Sequence, residues 1–167
     1  MASKIDAKAL AERYKLAVEE QLSLVAKIDE TNDVVFKHPD LGTFYFSLDA
    51  EDDPEYLMLV FPNFVDKDAT GGDKTKLLEA VNKVNRKSKG VKLSIRDDAD
   101  AYVIATVECF VAASDEGPSQ EFLDTTIKRT FSAMRACVGN LVEEIKNSSG
   151  GGDKKTPDGE KPATSSM

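Results

Sequence analysis

The spacing of apolar residues changes period four times along this chain, from helical steps to strand alternation and back. That order restricts the fold more than any motif does. Leu10, Tyr14, Ala17, Leu24, Val25 and Ile28 recur at three- and four-residue steps, which predicts one long amphipathic helix over 3–29. Ser3 followed by Asp6 resembles a capping box with Asp in place of the usual Glu. The turn formers of DETND (29–33) end the helix.

The period then drops to two. Strands are expected at 34–36 (VVF), 43–48 (TFYFSL) and 56–61 (YLMLVF), joined by the turns HPDLG (38–42) and DAEDDP (49–54). In TFYFSL, Phe44, Phe46 and Leu48 share one face and Thr43, Tyr45 and Ser47 the other. YLMLVF is apolar on both faces and reads as a central strand. A loop follows over 62–73. A second helix is expected over 74–88, with Leu77, Leu78, Val81 and Val84 as its stripe, and Gly90 placed to end it in the left-handed conformation. Val91, Leu93 and Ile95 point inward from a strand over 91–95. An acidic turn (96–100) leads into a long strand over 101–112. The last helix, 119–146, carries the stripe Leu123, Ile127, Thr130, Phe131, Met134, Val138, Leu141 and Ile145.

The expected class is α+β: a single domain over 3–146 in the order α-βββ-α-ββ-α, with a twisted antiparallel sheet and helices packed on it. Residues 147–167 hold no aromatic and no aliphatic larger than Ala before the final Met. Such a segment cannot bury enough to offset ordering costs of about 1–2 kcal/mol per residue, so it reads as a disordered C-terminal tail.

Charge removes some functions. The 167 residues carry a net charge of −8, which gains nothing from nucleic-acid phosphates or anionic lipid; neither is expected as a partner. No apolar run approaches the roughly 20 residues of a spanning helix, and the start, MASKIDAKALAERYK, lacks an apolar signal core. The expected location is the cytoplasm, which suits two thiols, Cys109 and Cys137, without metal-ligand spacing. A disulfide between them would need facing geometry.

No grouping points to catalysis, a metal or a cofactor. His38, the only histidine, lies in the turn KHPDL, and a nucleophilic device would have to bring Cys109 or Cys137 to it. The acidic clusters Asp49/Glu51/Asp52/Asp53, Asp66/Asp68/Asp73 and Asp97/Asp98/Asp100 lack the order of an EF-hand loop, and Asp is a preferred turn former. ATGGDKT (69–75) has no G-K-[ST], although the helix after it offers an N-terminus to an anion.

Residues 77–95, LLEAVNKVNRKSKGVKLSI, join the second helix to a strand, with Asn82 and Asn85 on one helical face and a cluster of cations in the last turns. This stretch, the long strand YVIATVECFVA and the closing helix EFLDTTIKRTFSAMRACVGNLVEEI together resemble the YbjN family, which is similar in fold to the type III secretion chaperones. The resemblance implies an α+β domain with no known enzymatic activity. On the chaperone side it implies a small acidic homodimer that holds an unfolded segment of another protein.

The two faces of the 101–112 strand differ. Val103, Ala105, Val107, Cys109 and Val111 are small and apolar; Tyr102, Ile104, Thr106, Glu108 and Phe110 are mixed. If the first and third helices cover one sheet face, the other exposes Tyr45, Met58, Tyr102, Ile104 and Phe110, which suggests an interface. The competing reading is that the second helix or edge loops cover it. The function expected is a non-enzymatic protein-interaction module, chaperone-like or regulatory. It would bind a protein partner through this face or helix two and form a homodimer with Val81 and Val84 in the contact. The alternative is a small-molecule or divalent-cation-binding domain using the acidic loops.

Overall fold

The structure, a computed structural model, describes residues 5–96, 102–112 and 117–149. It contains α1 (Ala7–Leu22), β1 (Ala26–Ile28), β2 (Val34–His38), β3 (Gly42–Ser47), β4 (Tyr56–Val65), a 3-10 turn (Lys67–Thr70), α2 (Lys74–Asn85), β5 (Lys92–Ile95), β6 (Val103–Phe110) and α3 (Gln120–Ser149). The six strands form one antiparallel sheet in the order β1-β2-β3-β4-β6-β5. The class is α+β as expected, with one strand more than the sequence suggests.

That extra strand comes from the predicted first helix. Asp6 caps α1 by accepting the Ala9 N–H at 3.2 Å, and the helix stops at Leu22, where Ser23 turns left-handed at φ 54°. Ala26–Ile28 then pairs with Phe36–Val34 of β2. Leu24 and Ile28 keep helical spacing, but Leu24 lies in the connection after α1 and Ile28 in β1, both packed against the core, and Val25 is 78% exposed. DETND is therefore the turn of a β1–β2 hairpin. The Asp29 carboxylate accepts from the Thr31 and Asp33 N–H groups and the Thr31 hydroxyl, and these bonds hold its pKa below the ordinary aspartate value. Ser3 lies outside the described residues.

Three further boundaries differ. β4 continues through Pro62 to Val65, with its register with β6 broken between Phe61 and Val65 and Asn63 at φ 47°. A bulge is where a strand tolerates a proline. α2 ends at Asn85 with Arg86 still right-handed, so Gly90, at φ 71°, redirects the chain into β5 and does not end the helix. α3 runs to Ser149, so the first three residues of the predicted tail are helical. Residues 150–167 and the acids Asp97, Asp98 and Asp100 lie outside the described residues.

The core lies between the sheet and the helices. Phe36, Phe44 and Phe46 are buried on neighbouring strands. Phe61 stacks on Phe44 at 4.2 Å. Phe131 of α3 meets Phe44 edge-on at 5.1 Å, and Tyr14 of α1 packs on Phe46 at 5.1 Å. The α3 stripe is buried at every position named from the sequence. α2 packs on α3 and against the β5 edge, and its Leu77, Ala80, Val81 and Val84 join the same core. Val81 and Val84 are each 4% exposed: they pack inside one copy and leave little side-chain surface for the expected dimer contact.

Asn85 has a particular task. Its side-chain amide donates to the Leu93 carbonyl at 3.0 Å and accepts the Leu93 N–H at 2.9 Å. One amide thus imitates a neighbouring strand on the free edge of β5. Asn82, three residues earlier, is exposed.

Two outcomes follow from these contacts. Asn85→Ala leaves both Leu93 groups without protein partners and is expected to lower unfolding stability by about 1–3 kcal/mol in a urea titration. Tyr14 is fully buried, its hydroxyl has no hydrogen-bond partner among the described residues, and burial pushes its pKa above the ordinary tyrosine value. Tyr14→Phe is therefore expected to be neutral or stabilising, by about 0–2 kcal/mol. Because the folded state holds this proton more tightly than the unfolded state, its contribution is complete below about pH 10 and falls above it. Melts at pH 9 and pH 11 should show the variant losing less stability than the parent.

Candidate interaction face

Alternation decides what the other side of the sheet presents. Phe36, Phe44, Phe46, Leu57, Leu59 and Phe61 point to the helices, so their neighbours in sequence point away. Register then assembles one continuous row across all six strands: Lys27, Val35, Tyr45, Val60, Thr106 and Lys92. Its centre is apolar or aromatic and a lysine stands at each end. Val60 is 2% exposed yet does not belong to the helix-side core. It is shielded within the sheet surface, opposite Tyr45 and Thr106. Beside this row lie Ser47, Met58 and Glu108, and beyond them Tyr56 opposite Phe110. Phe110 is 73% exposed, with Tyr56 edge-on to it at 5.4 Å.

Glu108 organises the polar part of this face. Its carboxylate meets the Lys92 ammonium at 2.6 Å, accepts the Thr106 hydroxyl at 2.7 Å and accepts the Tyr56 hydroxyl at 3.2 Å. Bonding to Lys92, then to Thr106, holds its pKa below the ordinary glutamate value. Tyr56 moves upward, through loss of hydration and then through its bond to Glu108. The bonds tie β4, β5 and β6 together and fix the Tyr56 ring against Phe110. They leave no donor and acceptor arranged around a reacting atom.

The residues expected at an interface are brought to this face. Tyr45, Met58, Ile104 and Tyr102 are half-buried and Phe110 is exposed. The second helix does not cover them, since it sits with α1 and α3. Sequence reasoning missed Tyr56, Val60, Lys27 and Lys92 as members. YLMLVF reads as a strand covered on both faces, when only one is covered by helices. The alternation of Tyr56, Met58 and Val60 was the available signal.

The other candidates take structural places. His38 accepts the Asp40 N–H through Nδ1 at 3.2 Å, and its ring lies 5.7 Å from that of Phe131. Cys109 and Cys137 are free thiols, both with pKa raised by burial, and Ser88 donates to the Cys137 sulfur at 3.2 Å. Asp49 accepts the Glu51 and Asp52 N–H groups, and Asp66 accepts those of Asp68 and Ala69. Asp73 caps α2 through the Thr75 and Lys76 N–H groups, so the helix start after ATGGDKT already holds a carboxylate. No three His, Cys, Asp or Glu residues among those described converge as metal ligands.

No protein-family model matches the chain, and no curated protein matches it. Solved structures do. The crystal structure of YbjN from E. coli, described as a candidate transcription regulator, superposes with a TM-score of 0.60 over 87% of this chain and 94% of that one, at 11% identity. An uncharacterised protein from Methanothermobacter thermautotrophicus superposes with a TM-score of 0.51 over 81% of this chain and 99% of that one, at 20% identity. The chain has a YbjN-like fold. No helix among the described residues is long and apolar enough to cross a membrane.

The Glu108 network gives the face a pH dependence of known sign. A carboxylate whose folded pKa is lowered contributes stability above its unfolded pKa, near 4.3, and loses it as pH falls through the folded value. In unfolding titrations between pH 6 and pH 3, Glu108→Gln is expected to show a shallower acid-side decline than the parent.

Proposed function

We propose that this chain is a non-enzymatic protein-binding module, and that the helix-free face of its sheet takes an acidic, amphipathic segment of a partner. One observation carries the reading. The row from Lys27 to Lys92 crosses the whole sheet with Val35, Tyr45 and Val60 inside and a cation at each end, and Phe110 stands exposed beside it. Exposed aromatic groups next to apolar ones are what interface centres are made of. Lys37 adds a third cation on this side and lines a shallow cleft with Lys27, Val25 and Val35. Lys92 is already paired with Glu108, so in a chain of net charge −8 it is the exposed Lys27 and Lys37 at the other end of the row that favour a partner with carboxylates beside an apolar strip.

The same net charge bears on the YbjN comparison. A regulator of this composition acts through contact with another protein, since it has little to gain from DNA phosphates. Whether that contact holds an unfolded client or a folded regulator turns on the partner. Two free thiols support a reducing location such as the cytoplasm.

The test is selection of peptides from a random display library against the full chain, followed by NMR shift mapping of those enriched. The expected peptides alternate apolar and acidic positions at helical spacing and perturb Tyr45, Met58, Ile104 and Phe110. Tyr45→Ser with Phe110→Ser is expected to weaken them by about tenfold or more, as loss of aromatic anchors does; because Tyr45 also shields Val60, the exposed Phe110→Ser alone is the variant expected to leave the melting point unchanged. Shifts confined to the helices, or affinities unchanged in the double variant, would sink the assignment.

A further inference from the structure

We propose that two copies of this chain associate through α3, antiparallel, about a two-fold axis that passes through Gly139. The argument stands apart from the sheet face and uses the opposite side of the domain. At 100° per residue, Gly139 lies about 140° around the helix from Met134 and about 160° from Leu141, two of the deepest core side chains.

Gly139 has no evident purpose in a single copy. It sits inside a 30-residue helix, where Gly is less favourable than Ala. A Cβ built on it would meet nothing within 4 Å, so packing does not require the missing side chain. A glycine that its own chain does not need is explained where a second backbone must come close.

The residues around it have the pattern of a two-fold contact. A shallow groove of about 630 Å³ runs along α3 and is bordered by Leu41 of the β2–β3 turn. Apart from Val138, which is buried in the core, its α3 positions pair off around Gly139, as residues three, four and seven places apart share one helix face. Ala136 and Val142 stand three residues to either side, Arg135 and Glu143 four, and Ser132 and Lys146 seven. When two antiparallel helices cross at a two-fold axis, a residue n places before the crossing faces the partner's residue n places after it. Arg135 then meets the partner's Glu143, and the operator repeats that ion pair. Ala136 meets the partner's Val142, which is 37% exposed in one copy. Neither Arg135 nor Glu143 makes an ion pair within the chain among the described residues.

A stripe about 21 Å long belongs at the small end of specific interfaces, so the dimer is weak and its mass falls on dilution. Sedimentation equilibrium of the full chain over a concentration series is the measurement. Arg135→Glu puts two like-charge pairs into the contact and is expected to weaken self-association by about tenfold or more. Glu143→Arg does the same. Mixed one to one, the two variants regain both ion pairs and are expected to form a heterodimer, which a wrong register would not produce. Gly139→Leu improves the helix and blocks the crossing, so it is expected to melt no lower than the parent while remaining monomeric. A parent that stays monomeric at the highest concentration reached overturns the proposal. So do single variants that dimerise like the parent, or a mixture that does not associate.

Discussion

Phenylalanine at alternate positions of β2 and β3 is the constraint on which the rest depends. Phe36, Phe44 and Phe46 face one way because the pleat has a period of two, and they meet Phe131 of α3 and Tyr14 of α1 at ring distances of 5–6 Å. A one-residue slip in either strand would turn this aromatic set toward water. The register is therefore held firmly, and what it holds is both faces together. Val35 and Tyr45 are driven outward by the same packing that draws Phe36, Phe44 and Phe46 in. The outer face inherits its order from the core.

Edges complete the argument for a face as the binding surface. A sheet with open edges invites strand addition. Here β5 is closed by the Asn85 amide. At the other end β1 is three residues long, with Lys27 at its centre, and short charged strands make poor templates. All three helices lie on one side, so the remaining broad surface is the row between Lys27 and Lys92. Its polar part is also ordered in advance. Tyr56, Thr106 and Lys92 all bond Glu108, which lowers the entropy that a partner would have to remove on binding.

Much of this was legible in the sequence, for particular reasons. The α3 stripe could be read position by position because it is long and keeps one period, and the inward set of β6 because small apolar residues alternate with larger ones. The failures share a cause. Leu24, Val25 and Ile28 keep helical spacing after α1 has ended. Periodicity cannot see that Ser23 turns left-handed or that β2 offers a partner for Ala26–Ile28. Pro62 looks like the end of β4, but a bulge absorbs it. Val81 and Val84 form an apolar stripe in sequence, which does not say what the stripe meets; within one copy it packs into the core beside α3. Asn85 stood out beside Asn82, yet its bidentate grip on Leu93 is a tertiary contact eight residues away that no spacing rule announces.

The two surfaces inferred here are compatible because they lie on opposite sides of one layered domain. α3 is covered on its inner side by the sheet and on its flanks by α1 and α2, so the stripe around Gly139 is the part of it left to solvent. The row from Lys27 to Lys92 is on the far side of the sheet. A two-fold contact along α3 therefore covers nothing on that row and turns the two rows outward. Each partner segment would then meet a module with two equivalent faces. If a partner carries two such segments on one chain, the second binds at an effective concentration set by the chain between them. Weak association at each surface then suffices for a firm complex. Neither interface has to be large, in keeping with a contact limited to one helix stripe and a sheet face that one chain can leave exposed to water.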